Sequence, residues 1–190
     1  MPSVVMLVRH AEKPLGDGPP HGVTIDGTAD PESLTPRGWQ RAGALVALFA
    51  ADRSDGAGLR FPTPTRLFAS QIGPQSLSAR PRETLLPLSE RIGLAVDSSL
   101  RKEEIDQLVK AIQGTGGVVL VAWEHHLIPA IATMLVSDRS QVPQIWPDDR
   151  YDMVWVLERT GVGPGLAFRQ VPEMLLAGDR DLPIASTDGA

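Results

Sequence analysis

The apolar positions of this chain fall into two alternating kinds of pattern. Short runs rich in β-branched residues and bounded by turn residues predict strands at Ser3–Val8, Thr65–Ser70, Gly117–Trp123, Met153–Glu158 and Leu166–Val171. The runs at Ser3–Val8 and Gly117–Trp123 are apolar nearly throughout, as strands covered on both faces are. Between the strands the period changes to that of a helix. Trp39, Ala42, Leu45, Val46 and Phe49 share one face of a helix that Thr35 caps and Pro36 opens. Leu85, Leu88 and Ile92 mark a second helix, ended by Gly93 and kinked at Pro87. Ile105, Leu108, Val109 and Ile112 mark a third, stopped at Gly114, and a fourth carries Pro129 in its first turn. Alternating strands and helices predict an α/β fold with a largely parallel sheet that changes to a β-hairpin towards the end.

Residues 11–34 break this rhythm. They carry four prolines and four glycines without a usable period, which suits a loop covering a site. The tail at 185–190 reads as frayed. A length of 190 residues with 42% apolar content predicts one domain spanning 1–190 with a proper core. The net charge of −5 argues against nucleic acid or an anionic membrane as partner, so any anion site must be built by local arginines. The absence of cysteine excludes disulfides and thiol catalysis. No apolar run approaches a signal-peptide core or a membrane span, which predicts a soluble, cytoplasmic protein.

Candidate chemistry sits at strand tips, because open α/β sheets bind ligands beyond the carboxyl ends of their strands. Arg9-His10 closes the first apolar run, and Glu124-His125-His126 closes the run ending at Trp123. Arg80, opening the helix after the second strand, can turn to the same edge. Two histidines and two arginines at one rim suit a phosphoryl group, since a guanidinium fork matches phosphoryl oxygens. The same histidines with Glu124 could instead ligate zinc or iron, but Arg9 and Arg80 would raise the cost of a cation there. His21, in the Pro/Gly loop, reads as a solvated side chain. No phosphate-loop or nucleophile-elbow motif is present.

The blocks "LVRHAEKP", "LTPRGWQRA", "SARPRETLLPLSERIGL" and "VVLVAWEHHLIPAI", in that order across Val4 to Leu135, resemble the histidine phosphatase superfamily, or phosphoglycerate mutase-like family. The resemblance is to its small single-domain, bacterial-type members. It implies a three-layer α/β/α sandwich with a mostly parallel central sheet. It also implies a phosphomonoester hydrolase that needs no metal or other cofactor, with His10 as the nucleophile and Arg9, Arg80 and a second histidine binding the phosphoryl group. That second histidine looks like His125, with His126 as the alternative one position on. The family's usual Arg-His-Gly is Arg-His-Ala here, and Glu12-Lys13-Pro14 replaces the residues that follow in phosphoglycerate mutases, which disfavours mutase activity on phosphoglycerate.

The proton donor to the leaving oxygen is expected to be a carboxyl at the rim, Glu124 ahead of Glu103. Glu12 reads as an ion-pair residue of the loop, and Glu103 and Glu104 equally suit a plain helix N-terminus. The expected partner is a small phosphorylated substrate or a phosphoprotein. Two alternatives stay open: a phosphate-binding regulatory domain of the same fold, and a phosphomutase, which must keep water from the phosphohistidine. The substrate and the oligomeric state are not legible.

Overall fold

A computed structural model describes residues 1–50, 61–74, 76–161 and 165–185. The expected tail therefore lies outside the described residues beyond Ala185. The elements run β1 (Val4–Arg9), α1 (Pro36–Phe49), β2 (Arg66–Ala69), α2 (Arg80–Ile92), β3 (Val96–Asp97), α3 (Ile105–Gly114), β4 (Val118–Trp123), α4 (Ile128–Leu135), β5 (Met153–Glu158) and β6 (Ala167–Pro172). The fold is α/β, with four helices around a mixed six-stranded sheet of order β3-β2-β4-β1-β5-β6. Strands β1, β4, β2 and β3 pair in parallel, while β5 pairs antiparallel with both β1 and β6.

Strand alternation explains why β1 and β4 are apolar throughout. Val5 and Leu7 of β1, with Val119, Val121 and Trp123 of β4, pack in one cluster with Leu108 and Ile112 of α3 and Ile128 and Ile131 of α4. Their neighbours Met6, Val8, Leu120 and Ala122 enter a second cluster with Leu45 and Phe49 of α1 and Leu85 and Leu88 of α2. A side-chain period of two therefore supplies both clusters from the same strands. Among the described residues no helix is long and apolar enough to cross a membrane.

The sequence signals for helix ends hold. Thr35 Oγ1 accepts from the Gly38 N–H, Pro36 opens α1, and Gly93 closes α2 with φ of 66°, a conformation favouring glycine. Helix α2 continues through Pro87 to Ile92, although the proline denies the Glu83 carbonyl its usual donor. Strand β3 was not expected from the sequence, because its two residues pair only with β2 at the sheet edge and carry no period.

The start of α1 holds the chain that leaves β1. The Thr35 N–H and Oγ1–H both donate to the Glu12 carbonyl, at 3.0 and 3.1 Å. The backbones come so close that a Cβ on Gly38 would meet the Glu12 oxygen at 2.5 Å. Gly43, on the exposed side of the same helix, has nothing within 4 Å. We predict opposite signs for two formally identical substitutions, measured by urea unfolding. Gly38→Ala should destabilise by about 1–3 kcal/mol, as overpacking does. Gly43→Ala should stabilise by roughly 0.5–1 kcal/mol through helix propensity.

Candidate active site

Three strand or helix ends converge on one cavity. It has a volume of about 260 Å³, and His10, Arg80, Glu124, His125 and His126 line it, together with Lys13, Glu32 and Lys102. His10 follows β1, Arg80 opens α2, and the Glu124-His125-His126 triplet follows β4. The parallel pairing of β1, β4 and β2 brings these ends to the same sheet edge, as the strand-end rule requires.

His10 is buried and held in one tautomer. Its Nδ1–H donates to the Ala11 carbonyl at 2.8 Å, which leaves Nε2 to carry the lone pair. Burial holds the ring's pKa down to about 3. The backbone hydrogen bond to Ala11 works against this shift, while Arg9, Arg80 and His125 reinforce it. The imidazole is therefore neutral at physiological pH. Its frame is also fixed, because the Ala11 N–H donates to Thr84 Oγ1 at 2.8 Å and that hydroxyl donates to the Arg80 carbonyl one turn earlier in α2.

Arg9 is placed differently from Arg80. It lies in register with Trp123, and its Nη1 donates to the carbonyls of Pro147, Asp148 and Arg150 at 3.3, 2.6 and 3.2 Å. The guanidinium also stacks 3.8 Å over the Tyr151 ring, and Nη2 donates to the Tyr151 hydroxyl. Arg9 thus backs the cavity without lining it. Only its Nε is enclosed without a partner. Arg80 lines the cavity, yet its donors reach Ser33, Ser78, Pro31 and Glu32 in the loops beside it.

His125 is nearly inaccessible, and its ring centroid lies 6.4 Å from that of His10. Burial holds its pKa down to about 4, with Arg9 adding to the effect and Asp148 opposing it. Its Nε2–H donates to Asp148 Oδ1 at 2.6 Å, while Nδ1 is buried without a partner. His126, by contrast, is largely exposed and stacks 3.8 Å from His125.

The candidate acids separate. Glu124 is on the cavity wall, paired with Lys102 at 3.3 Å. Glu103 is exposed and lines a neighbouring pocket with Gln71, Pro74 and Arg101. Glu12 accepts from the buried Arg41, which also donates to Glu173 and Asp179, so it is a structural ion-pair residue. Glu124, His125 and His126 offer ligand atoms within 4.8 Å of one another, but Lys102 and Asp148 already engage the first two.

The Pro/Gly loop contributes Lys13 and Glu32 to the wall, while His21 is exposed. Its second half is tied down: the Val23 N–H donates to the Leu34 carbonyl, and Trp39 Nε1–H to that of Val23. Sequence reasoning missed Thr84, Lys102, Asp148 and Tyr151. Lys102 adjoins a residue that was singled out, whereas "WPDDRY" at 146–151 reads only as a polar turn.

Comparison with protein-family models and with curated proteins returns no match.

The depressed histidines predict an acid-sensitive fold. The unfolded chain takes up protons near pH 6.5, but folded His10 refuses its proton until about pH 3. Stability contributed by neutral His10 is complete above about pH 6.5 and lost as pH falls towards 3. His125 acts in the same sense. Glu173, whose burial raises it to about 7 against the pull of Arg41, acts in the opposite one. Urea unfolding at pH 7.5 and pH 5 should show His10→Gln losing less stability than wild type on acidification, by on the order of 2 kcal/mol. Equal losses would overturn the buried, neutral assignment.

Proposed function

We propose that the protein is a phosphomonoester hydrolase that works through a phosphohistidine on His10, on a three-layer α/β/α sandwich of the phosphoglycerate mutase-like type. The observation that carries this reading is a neutral, buried imidazole with its Nδ1–H spent on a backbone carbonyl. It stands on a cavity wall shared with Arg80 and His125. A nucleophile needs its lone pair at neutral pH, and a neutral ring with hydrogen on Nδ1 keeps that of Nε2 available. The division of α1 and α2 from α3 and α4 between two core clusters supports the layered architecture.

In the proposed reaction the His10 Nε2 lone pair attacks phosphorus as the bond to the ester oxygen breaks, and the leaving oxygen takes a proton from Glu124. Water then attacks the phosphohistidine and gives its proton to Glu124, and the P–N bond breaks to return neutral His10 and inorganic phosphate. Arg80 and His125 hold the phosphoryl oxygens from the cavity wall and the Arg9 charge supports them from behind it, and positioning with electrostatic stabilisation supplies most of the rate in phosphoryl transfer. We assign proton transfer to Glu124 over Glu103 because Glu124 lines the cavity with His10. Glu32 also lines it, but its side chain lies further into solvent than that of Glu124, 40% against 28% exposed. The modest cavity and exposed rim suit small phosphoesters or a phosphorylated side chain on another protein.

Hydrolysis of an aryl phosphate in the presence of a chelator tests the reading. Wild type should turn over and carry a phosphoryl adduct by mass. His10→Ala should lose the adduct and about 10³-fold or more of the rate, as removal of a nucleophile does. Phosphate binding with neither turnover nor adduct over a broad panel of phosphoesters would identify a regulatory binding domain instead.

Leaving-group dependence tests the acid. Glu124→Gln should slow alkyl phosphates by about 10²-fold, while an aryl phosphate with a good leaving group is slowed far less. Equal effects on both would remove Glu124 from proton transfer.

A further inference from the structure

Two buried polar atoms beside the cavity lack partners, Arg9 Nε and His125 Nδ1, and one residue touches the side chains that carry both. Asp148 accepts from His125 Nε2–H through its carboxylate at 2.6 Å and from Arg9 Nη1–H through its carbonyl at 2.6 Å. A carboxylate can only accept, so the contact fixes the hydrogen of neutral His125 on Nε2 and leaves Nδ1 a bare lone pair. A lone pair repels a phosphoryl oxygen, which is itself an acceptor. Buried polar atoms are nearly always satisfied, so an unpaired Nδ1 on a ring that lines a cavity with Arg80, Lys13 and Lys102 calls for a partner when the cavity fills.

We propose that Asp148 is a positioning residue that couples phosphoryl binding to proton uptake by His125. As the phosphoryl group enters, Nδ1 gains a proton, and the imidazolium then donates from Nε2 to Asp148 and from Nδ1 to a phosphoryl oxygen. No bond of the ester breaks in this step. A monoanionic phosphate and a neutral ring become a dianion and an imidazolium, the proton coming from the phosphate, whose second ionisation lies near pH 6, or from solvent.

The charges around the ring fit this coupling. Arg9 from β1 and the adjacent His126 oppose a positive ring, Asp148, from the segment before β5, favours one, and the neutral His10 ring lies 6.4 Å away. In the empty cavity, burial and the cations keep the ring neutral. A phosphoryl dianion within hydrogen-bonding distance reverses the balance. Asp148 itself has an exposed side chain, so it acts as a support from outside the cavity.

The proposal rests on a phosphoryl group occupying the His10 cavity, and its test separates the two ideas. Nitrogen NMR of the histidine rings in the full chain at pH 7, with and without inorganic phosphate, reports the protonation of each ring nitrogen. His125 should carry hydrogen on Nε2 alone in the free protein and on both nitrogens with phosphate bound. Asp148→Ala should weaken phosphate binding by about tenfold or more, the scale of a lost charge-assisted hydrogen bond. Asp148→Asn, which keeps an acceptor oxygen, should retain the Nε2–H tautomer but weaken proton uptake.

A free protein with hydrogen on Nδ1, a His125 that stays neutral with phosphate bound, or wild-type affinity in Asp148→Ala would each overturn the proposal. A phosphoryl adduct on His10 alongside a neutral His125 would sink the role of Asp148 alone. Proton uptake without any adduct would sink the hydrolase reading and leave Asp148 its role. Failure of wild type to bind phosphate would overturn both.

Discussion

The hydrogen bond from His10 Nδ1 to the Ala11 carbonyl is the contact on which the site depends, and it is a bond between neighbours in the chain. Such a bond is only as rigid as the backbone that offers the acceptor. Here residues 10–12 are held from four directions. The His10 N–H donates to the Trp123 carbonyl, the Ala11 N–H to Thr84, the Glu12 carbonyl accepts twice from Thr35, and the Glu12 carboxylate meets Arg41. Strand β4 and helices α1 and α2 thereby fix one peptide, and the peptide fixes which ring nitrogen is free.

The cations of the site are arranged on the same economy. Arg9 directs most of its hydrogen bonds to loop carbonyls, and Arg80 divides its own between the Ser33 and Pro31 carbonyls and the side chains of Ser78 and Glu32, so each guanidinium orders a wall as well as charging it. Loop carbonyls are partial negative charges, so they hold an arginine in place without neutralising it as a carboxylate would. Arg41 shows the contrast. It is surrounded by Glu12, Glu173 and Asp179, and its charge is consumed by structure.

Much of this was legible in the chain. Five of the six strands and the four helices follow from apolar runs and the 3.6-residue period, and the strand-end rule gathers His10, Arg80, Glu124 and His125 at one edge. Arg9 was read beside His10 as a phosphate-binding residue. In the structure its Nη1 donates to the carbonyls at 147–150, a turn that carries no periodicity, and its Nε is left without a partner. Asp148 and Tyr151 were invisible for the same reason. They reach the site through a turn, which has no periodicity, and their partners lie more than twenty residues away in sequence. Glu103 was one position from Lys102, which does line the cavity, and the local turn before α3 decides between them.

The reversal of β5 has a consequence for how such a protein can diversify. Because β5 runs antiparallel to β1, it must begin where β1 finishes, and the chain leading into it crosses the edge that holds His10. That chain is clamped at Trp146 and Asp152, both buried, while Asp148 and Asp149 between them face solvent. Between those posts the backbone at 147–150 holds Arg9 and the Tyr151 ring lies under its guanidinium, so this stretch cannot change length without moving the wall behind His10. The topology thus leaves room for variation only in outward side chains such as Asp149, at the mouth of a rigid turn beside the reacting atoms.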